Sequence, residues 1–256
     1  MARMKRLEKL DGFANVQMVE VERPEPGPDQ MLIEVKRSLI SRGSELFWRY
    51  VREEAVSPEM MGYSDAGEVV GVGDKIQDFA VGQRVMANTP HAQYVIAGET
   101  ERSRRAFLLP DELSYETATF LPLATSSVMW MRTSPIEPGQ TVVVLGQGIV
   151  GALCAQIVWE RDPGRVIVVD AQPLRCDIAR KLGHENVIDV SQTDSVAAVK
   201  ELTWQGCRPR RRVRRWLRWH PVLRTSSEDA RTPGNNSPHR EVSRCAIAPG
   251  RGRLYE

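Results

Sequence analysis

The run Val142 to Gly151, VVVLGQGIVG, constrains the fold of this chain more than any other segment. Three valines and a leucine read as a buried strand, the glycines as a tight turn, and the apolar residues after them as a helix start. Gly146 permits the turn off the strand, and Gly148 lets backbone approach an anion with no Cβ in the way. Gly151 lets the helix sit close to the sheet. Ile149 and Val150 open that helix, whose free N–H groups and dipole favour a pyrophosphate. A second strand, Arg165 to Val169, follows and ends in Asp170, nineteen residues past Gly151. An acidic side chain at about that spacing reaches the ribose hydroxyls of a bound dinucleotide. An α/β turn that binds nothing is the alternative reading.

Around this turn the chain reads as α/β. The expected elements are a strand at Thr141–Leu145, a helix to about Glu160, a strand at Arg165–Val169, a helix at about Pro173–Leu182, a strand at Asn186–Val190 and a helix at Thr193–Thr203. Strands alternating with helices of this length imply right-handed crossovers and a parallel sheet. The first part differs. Glu20 to Gln30, EVERPEPGPDQ, is too proline-rich for a helix or central strand and reads as a connection. Short strand candidates follow at Met31–Lys36, Ala66–Val72, Gln83–Ala87, Gln93–Ile96 and Ala106–Leu109, the pattern of a small barrel or sandwich. Ser114 to Ser134 carries apolar residues at helical spacing, with Ser114 as cap and Glu116 in the first turn.

Charge divides the chain. Residues 1–203 hold 22 Lys and Arg against 29 Asp and Glu, whereas residues 204–256 hold 13 Arg, no Lys and four acids. The second segment has neither strand alternation nor a helical stripe and reads as a disordered tail. No run approaches a membrane span, and the charged start MARMKRLEKLDG does not resemble a signal peptide, so a cytoplasmic location is expected. Cys154, Cys176, Cys207 and Cys245 are scattered, with no pair at metal-ligand spacing; Cys154 and Cys176 read as small buried hydrophobes.

Several segments in order resemble the medium-chain dehydrogenase/reductase family, relatives of alcohol dehydrogenase. PGPDQMLIEVKRSLISRGSEL is similar to its first catalytic-domain strand and loop, GYSDAGEVVGVGDKIQDFAVGQRVMA to the next strands, and AQYV to the strand after the zinc region. LPDELSYETATFLPLATSSVMW resembles the linking helix and PGQTVVVLGQGIVG the cofactor turn. The resemblance implies a GroES-like β-barrel domain over 1–113, and over 114–203 the linker helix with the first half of a Rossmann domain. Residues 204–256 lie outside the pattern.

Zinc-dependent members carry a Cys where this chain has Arg42, in Arg42-Gly43-Ser44-Glu45, and His-Glu where it has Tyr63-Ser64. The resemblance therefore implies a zinc-free branch in which a nicotinamide performs hydride transfer on an alcohol or carbonyl substrate. Ser44 matches the Ser/Thr through which relatives relay a proton, and Tyr63 would face the same cleft. Their plainer readings are a helix cap and a packing residue. Thr125 resembles a linker-helix threonine near the nicotinamide, though it can equally bond its own helix. Asp170 favours NAD over NADP, while Arg175 offers a phosphate partner if the loop folds back. Metal ligands are not expected; a small-molecule substrate is, and full-length relatives imply a homodimer.

The tail has two readings: a nucleic-acid arm, in which Arg pairs with phosphate and Trp stacks on bases, or a frameshifted sequence, which would make the chain a truncated, inactive or unstable remnant of an oxidoreductase. The frameshift is preferred to the nucleic-acid arm. A catalytically silent dinucleotide-binding protein is the remaining alternative to an enzyme.

Overall fold

The computed structural model describes residues 2–98 and 105–204 and two short strands, Leu217–Arg218 and Ala246–Ile247. The disordered-tail reading otherwise falls outside the described residues. The chain divides into two compact units, Met1–Pro122 and Leu123–Glu256.

In the first unit, β1 (Arg3–Lys9) and β2 (Val16–Glu22) form an antiparallel hairpin. A five-stranded antiparallel sheet follows in the order β6-β3-β4-β5-β7, built from β3 (Gln30–Ser38), β4 (Asp65–Val72), β5 (Arg84–Ala87), β6 (Tyr94–Gly98) and β7 (Ala106–Leu108). Its inner face buries Met31, Ile33, Val69, Val85, Ala87, Val95 and Ala97, the alternate positions of these strands. Two register shifts in β3, at Leu32/Ile33 and Val35/Arg37, bend the sheet into a half-barrel. The charged start read as no particular element is strand β1. The Pro-rich connection begins only after Glu22, because the alternation VQMVEVE pairs with β1 before the first proline.

A buried ammonium pins the hairpin. Lys9 is 1% exposed, and its Nζ donates to the carbonyls of Leu10, Gly12 (2.9 Å) and Glu54 (3.3 Å). Three carbonyl oxygens replace the water that the cation lost, which makes the burial tolerable.

The second unit is layered. β8 (Thr141–Leu145), β9 (Arg165–Asp170) and β10 (Asn186–Asp189) form a parallel sheet in the order β10-β9-β8. Val142, Val144, Val166 and Val168 point to one face, against Met131, Cys154, Ala155, Val158 and Ala179. Those residues belong to α2 (Leu121–Thr133), α3 (Ile149–Val158) and α4 (Pro173–Lys181). Val143, Ile167, Val169 and Ile188 point to the other, against Val199 of α5 (Ser195–Trp204). The valine-rich strands are buried on both faces, each such side chain contributing roughly 1.5–3 kcal/mol of burial. Cys154 and Cys176 are buried thiols, as expected.

The expected single helix from Ser114 is two. α1 (Tyr115–Ala118) is capped by Ser114, whose Oγ accepts the Thr117 N–H at 3.1 Å, and α2 resumes at Leu121, where Pro122 fits a first turn. No helix among the described residues is long and apolar enough to cross a membrane.

Candidate functional site

The glycine turn between β8 and α3 is built as an anion cradle. Gly146 has φ +91°, a conformation that favours glycine, and its N–H donates to the Val169 carbonyl at 2.7 Å. A Cβ on Gly151 would overlap the Gly146 carbonyl oxygen, so α3 can approach the turn only with glycine there. Around Gly148, the N-cap of α3, the space a Cβ would occupy is open, and Ile149 beside it is exposed. The turn thus leaves its backbone accessible where a pyrophosphate needs it.

Asp170 ends β9 beside this turn. Its Oδ2 accepts the Gln147 N–H at 2.6 Å and its Oδ1 the Gln172 N–H at 2.8 Å. Arg175 Nη1 lies 3.5 Å from Oδ2, so the cation noted as a phosphate partner leans on Asp170. Gln147 is itself buried; its Nε2 donates to the Gly146 carbonyl, and its Oε1 has no hydrogen-bond partner. The structure therefore brings Gly146, Gly148, Ile149, Val150, Gly151, Asp170 and Arg175 together. A dinucleotide fits this donor set: a cradle without side chains for the phosphates and a carboxylate at the ribose position. Thr125 is exposed on α2, whereas Ser127 and Thr133 bond back to their own helix at 2.8 Å (to Leu123) and 3.2 Å (to Met129).

Ser44 and Tyr63 belong to the first unit. Ser44 is exposed on a π-helical segment, Arg42–Tyr50. The plainer reading of Ser44 as a helix cap fails, because Ser41 is the N-cap residue, and the Ser41 side chain makes no capping hydrogen bond. Tyr63 is half-buried between Gly62 and Ser64.

Sequence reasoning missed a buried polar cluster directly behind these two residues. His91 Nε2 lies 2.8 Å from Glu45 Oε1, and His91 Nδ1 lies 3.0 Å from Ser38 Oγ and 3.8 Å from Asp65 Oδ1. Glu45 Oε1 also accepts from Tyr50 Oη (3.1 Å), Glu45 Oε2 from the Ser41 N–H (2.6 Å), and Asp65 Oδ2 from Thr89 Oγ1 (2.7 Å). Burial alone would lower the basicity of His91, but the pull of the nearby Asp65 carboxylate and the bond and attraction to Glu45 outweigh it and push the imidazole up to about 9. Burial pushes Asp65 up to about 6 against the opposing pull of His91 and Thr89. Glu45 is also raised by burial, yet its bonds to His91, the Ser41 N–H and Tyr50 leave it below the ordinary range. Tyr50, buried beside the Glu45 carboxylate, rises well above its usual value. No periodicity links positions 45, 65 and 91; a charged residue heading the buried strand DAGEVVGV was the one hint.

The zinc of related enzymes does not fit this donor set. Arg42 is an exposed cation, and the Ser64 hydroxyl is committed to the Thr119 carbonyl. Among the described residues no group of three His, Cys, Asp or Glu side chains is arranged to hold a metal ion.

No protein-family model matches the chain. It is 27% identical over 214 residues to sorbitol dehydrogenase of Bacillus subtilis, covering 70% of this chain and 60% of that protein. It is 26% identical over 219 residues to L-threonine 3-dehydrogenase of Colwellia psychrerythraea, covering 74% of this chain and 64% of the relative. Its fold superposes on Escherichia coli quinone oxidoreductase complexed with NADPH with a TM-score of 0.59 and 22% identity, over 79% of this chain and 63% of that one. The chain thus spans less than two thirds of these proteins' lengths. In sequence it is similar to sorbitol and threonine dehydrogenases, and its fold is that of the medium-chain dehydrogenase/reductase family.

Proposed function

We propose that this chain is an NAD-preferring oxidoreductase that moves hydride to or from an alcohol or carbonyl group of a small molecule without catalytic zinc. The observation that carries this reading is the Gly146–Gly151 turn braced by Asp170: an open anion cradle with a carboxylate at the ribose position. When bound, the nicotinamide supplies the hydride chemistry, and the protein binds, orients and excludes water. Gly148, Ile149 and Val150 would offer backbone to the pyrophosphate, and Asp170 would accept from a ribose hydroxyl. Its charge disfavours a 2′-phosphate. Arg175, held 3.5 Å from Asp170, is engaged with that carboxylate rather than free for such a phosphate. NADPH in the quinone oxidoreductase belongs to that protein.

Ser44 and Tyr63 are the hydroxyl groups offered to the reacting oxygen. Each can donate a hydrogen bond to a carbonyl or accept the proton of an alcohol. Thr125 is assigned to the cofactor, as the linker-helix hydroxyl near the nicotinamide. Titrating NADH and NADPH fluorescence, followed by turnover with a panel of polyols, amino alcohols and quinones, tests the reading. Binding of neither nucleotide would remove it. Binding without turnover on any substrate would favour a catalytically silent dinucleotide-binding protein.

A further inference from the structure

The segments that carry Ser44 and Tyr63 meet at one buried side chain. His91 is 7% exposed, and Glu45 and Asp65 are fully buried, each one or two residues from Ser44 or Tyr63. The His91 backbone is fixed on both sides: its N–H donates to the Met61 carbonyl at 2.6 Å and its carbonyl accepts from the Leu7 N–H at 2.9 Å. Gly62 has φ +124°, and a Cβ there would lie 2.7 Å from the His91 backbone nitrogen and 3.0 Å from its Cγ, so the imidazole and the Tyr63 turn are packed against each other. The charged groups facing the imidazole are Glu45 from the π-helical segment and Asp65 from β4; Ser38 and Thr89 are neutral, and Tyr50 faces Glu45.

Two buried carboxylates without a counter-charge are costly, and Asp65 Oδ1 has no hydrogen-bond partner to compensate it. A protonated imidazole between them supplies that charge. We propose that His91 is a tethered cation that cross-links the Ser44 and Tyr63 segments through Glu45 and Asp65. His91 is then a positioning residue: it touches no reacting atom and fixes the backbone that presents the two hydroxyls. The proposal rests on the assignment of Ser44 and Tyr63 made above.

The direct test is NMR of the full chain labelled with 13C and 15N in histidine, with the His91 signals assigned by their loss in H91Q. The expected result is an imidazolium at pH 7.5 whose titration midpoint lies well above those of ordinary histidines. A neutral ring at pH 7.5 overturns the proposal. D65N, which keeps the Thr89 bond and removes the charge, keeps the test open if H91Q does not fold, since it should move one histidine's midpoint down by about one unit or more. No shift in D65N also overturns it. In the polyol assay, the alkaline limb of kcat against pH should move down in D65N by the same interval as the NMR midpoint, while KM for NAD stays near the wild-type value. A limb that does not follow the midpoint overturns the positioning role. Wild-type protein without turnover would instead strike the functional reading, and the NMR midpoint alone would then decide the cross-link.

Discussion

The Asp170 carboxylate accepts the backbone N–H of Gln147 at 2.6 Å, so the residue that would read the ribose also holds the phosphate turn in shape. Asp170→Ala should therefore do two things at once. Leaving a buried N–H unpaired costs about 1–3 kcal/mol of stability in the turn. Losing a charged acceptor for the ribose, worth about 1.5–3 kcal/mol, should separately weaken NAD binding by about tenfold or more. Loss of the negative charge should simultaneously narrow the gap to NADP. Isothermal titration with both nucleotides reads this, and an unchanged NAD/NADP ratio would remove the assignment of Asp170 as the selectivity residue.

Ser44→Ala should lower kcat by about a hundredfold if Ser44 handles the proton of the reacting oxygen, because general acid–base groups contribute on that scale. Nucleotide affinity, set in the second unit, should stay within a factor of two or so of wild type. A variant with wild-type kcat would return Ser44 to a surface residue.

Lys9→Met should destabilise the first unit by about 1–3 kcal/mol, since the carbonyls of Leu10, Gly12 and Glu54 lose their shared donor. Urea unfolding of the full chain, followed by a probe in that unit, measures it. A midpoint equal to wild type would mean that water replaces the ammonium at no cost.

His184 is buried against Trp159, with ring centroids 6.4 Å apart at 19°, and neither ring nitrogen has a hydrogen-bond partner. Burial holds its affinity for protons below the ordinary value of 6.5. A base whose folded value is depressed binds protons preferentially when unfolded, so its contribution is complete above about pH 6.5 and is lost as pH falls below that. His184→Leu should remove this part of the acid sensitivity. The Tm difference between variant and wild type should therefore grow in the variant's favour from pH 7 to pH 5; a constant difference would show that the ring is solvated.

The second unit was legible because its signals are local. VVVLG, RVIVVD and NVID are short strands whose pairing follows from chain order and handedness, and Gly146, Gly151 and Asp170 meet because each sits at the carboxyl end of β8 or β9 or one turn beyond. Ser114 likewise announces its own helix. The first unit was less legible. β1, RMKRLEK, carries four cations and reads as a solvated segment, yet Lys9 is buried under carbonyls, one of which, that of Glu54, lies 45 residues away. The Glu45–His91–Asp65 cluster joins residues up to 46 positions apart, on the π-helical segment, β4 and the loop before β6, and only the folded sheet brings it together.

Leu145 pairs with Val169, and Asp170 with Asp189, in a ladder where β8 and β9 are buried on both faces. A slip of β9 by one residue would carry Asp170 about 3.3 Å along the sheet and turn its carboxylate to the opposite side. If Asp170 reads the ribose as proposed, nucleotide choice would be a property of strand register. Substitutions deep in the valine ladder, far from any ligand atom, should blur the distinction between the two nucleotides before they unfold the protein.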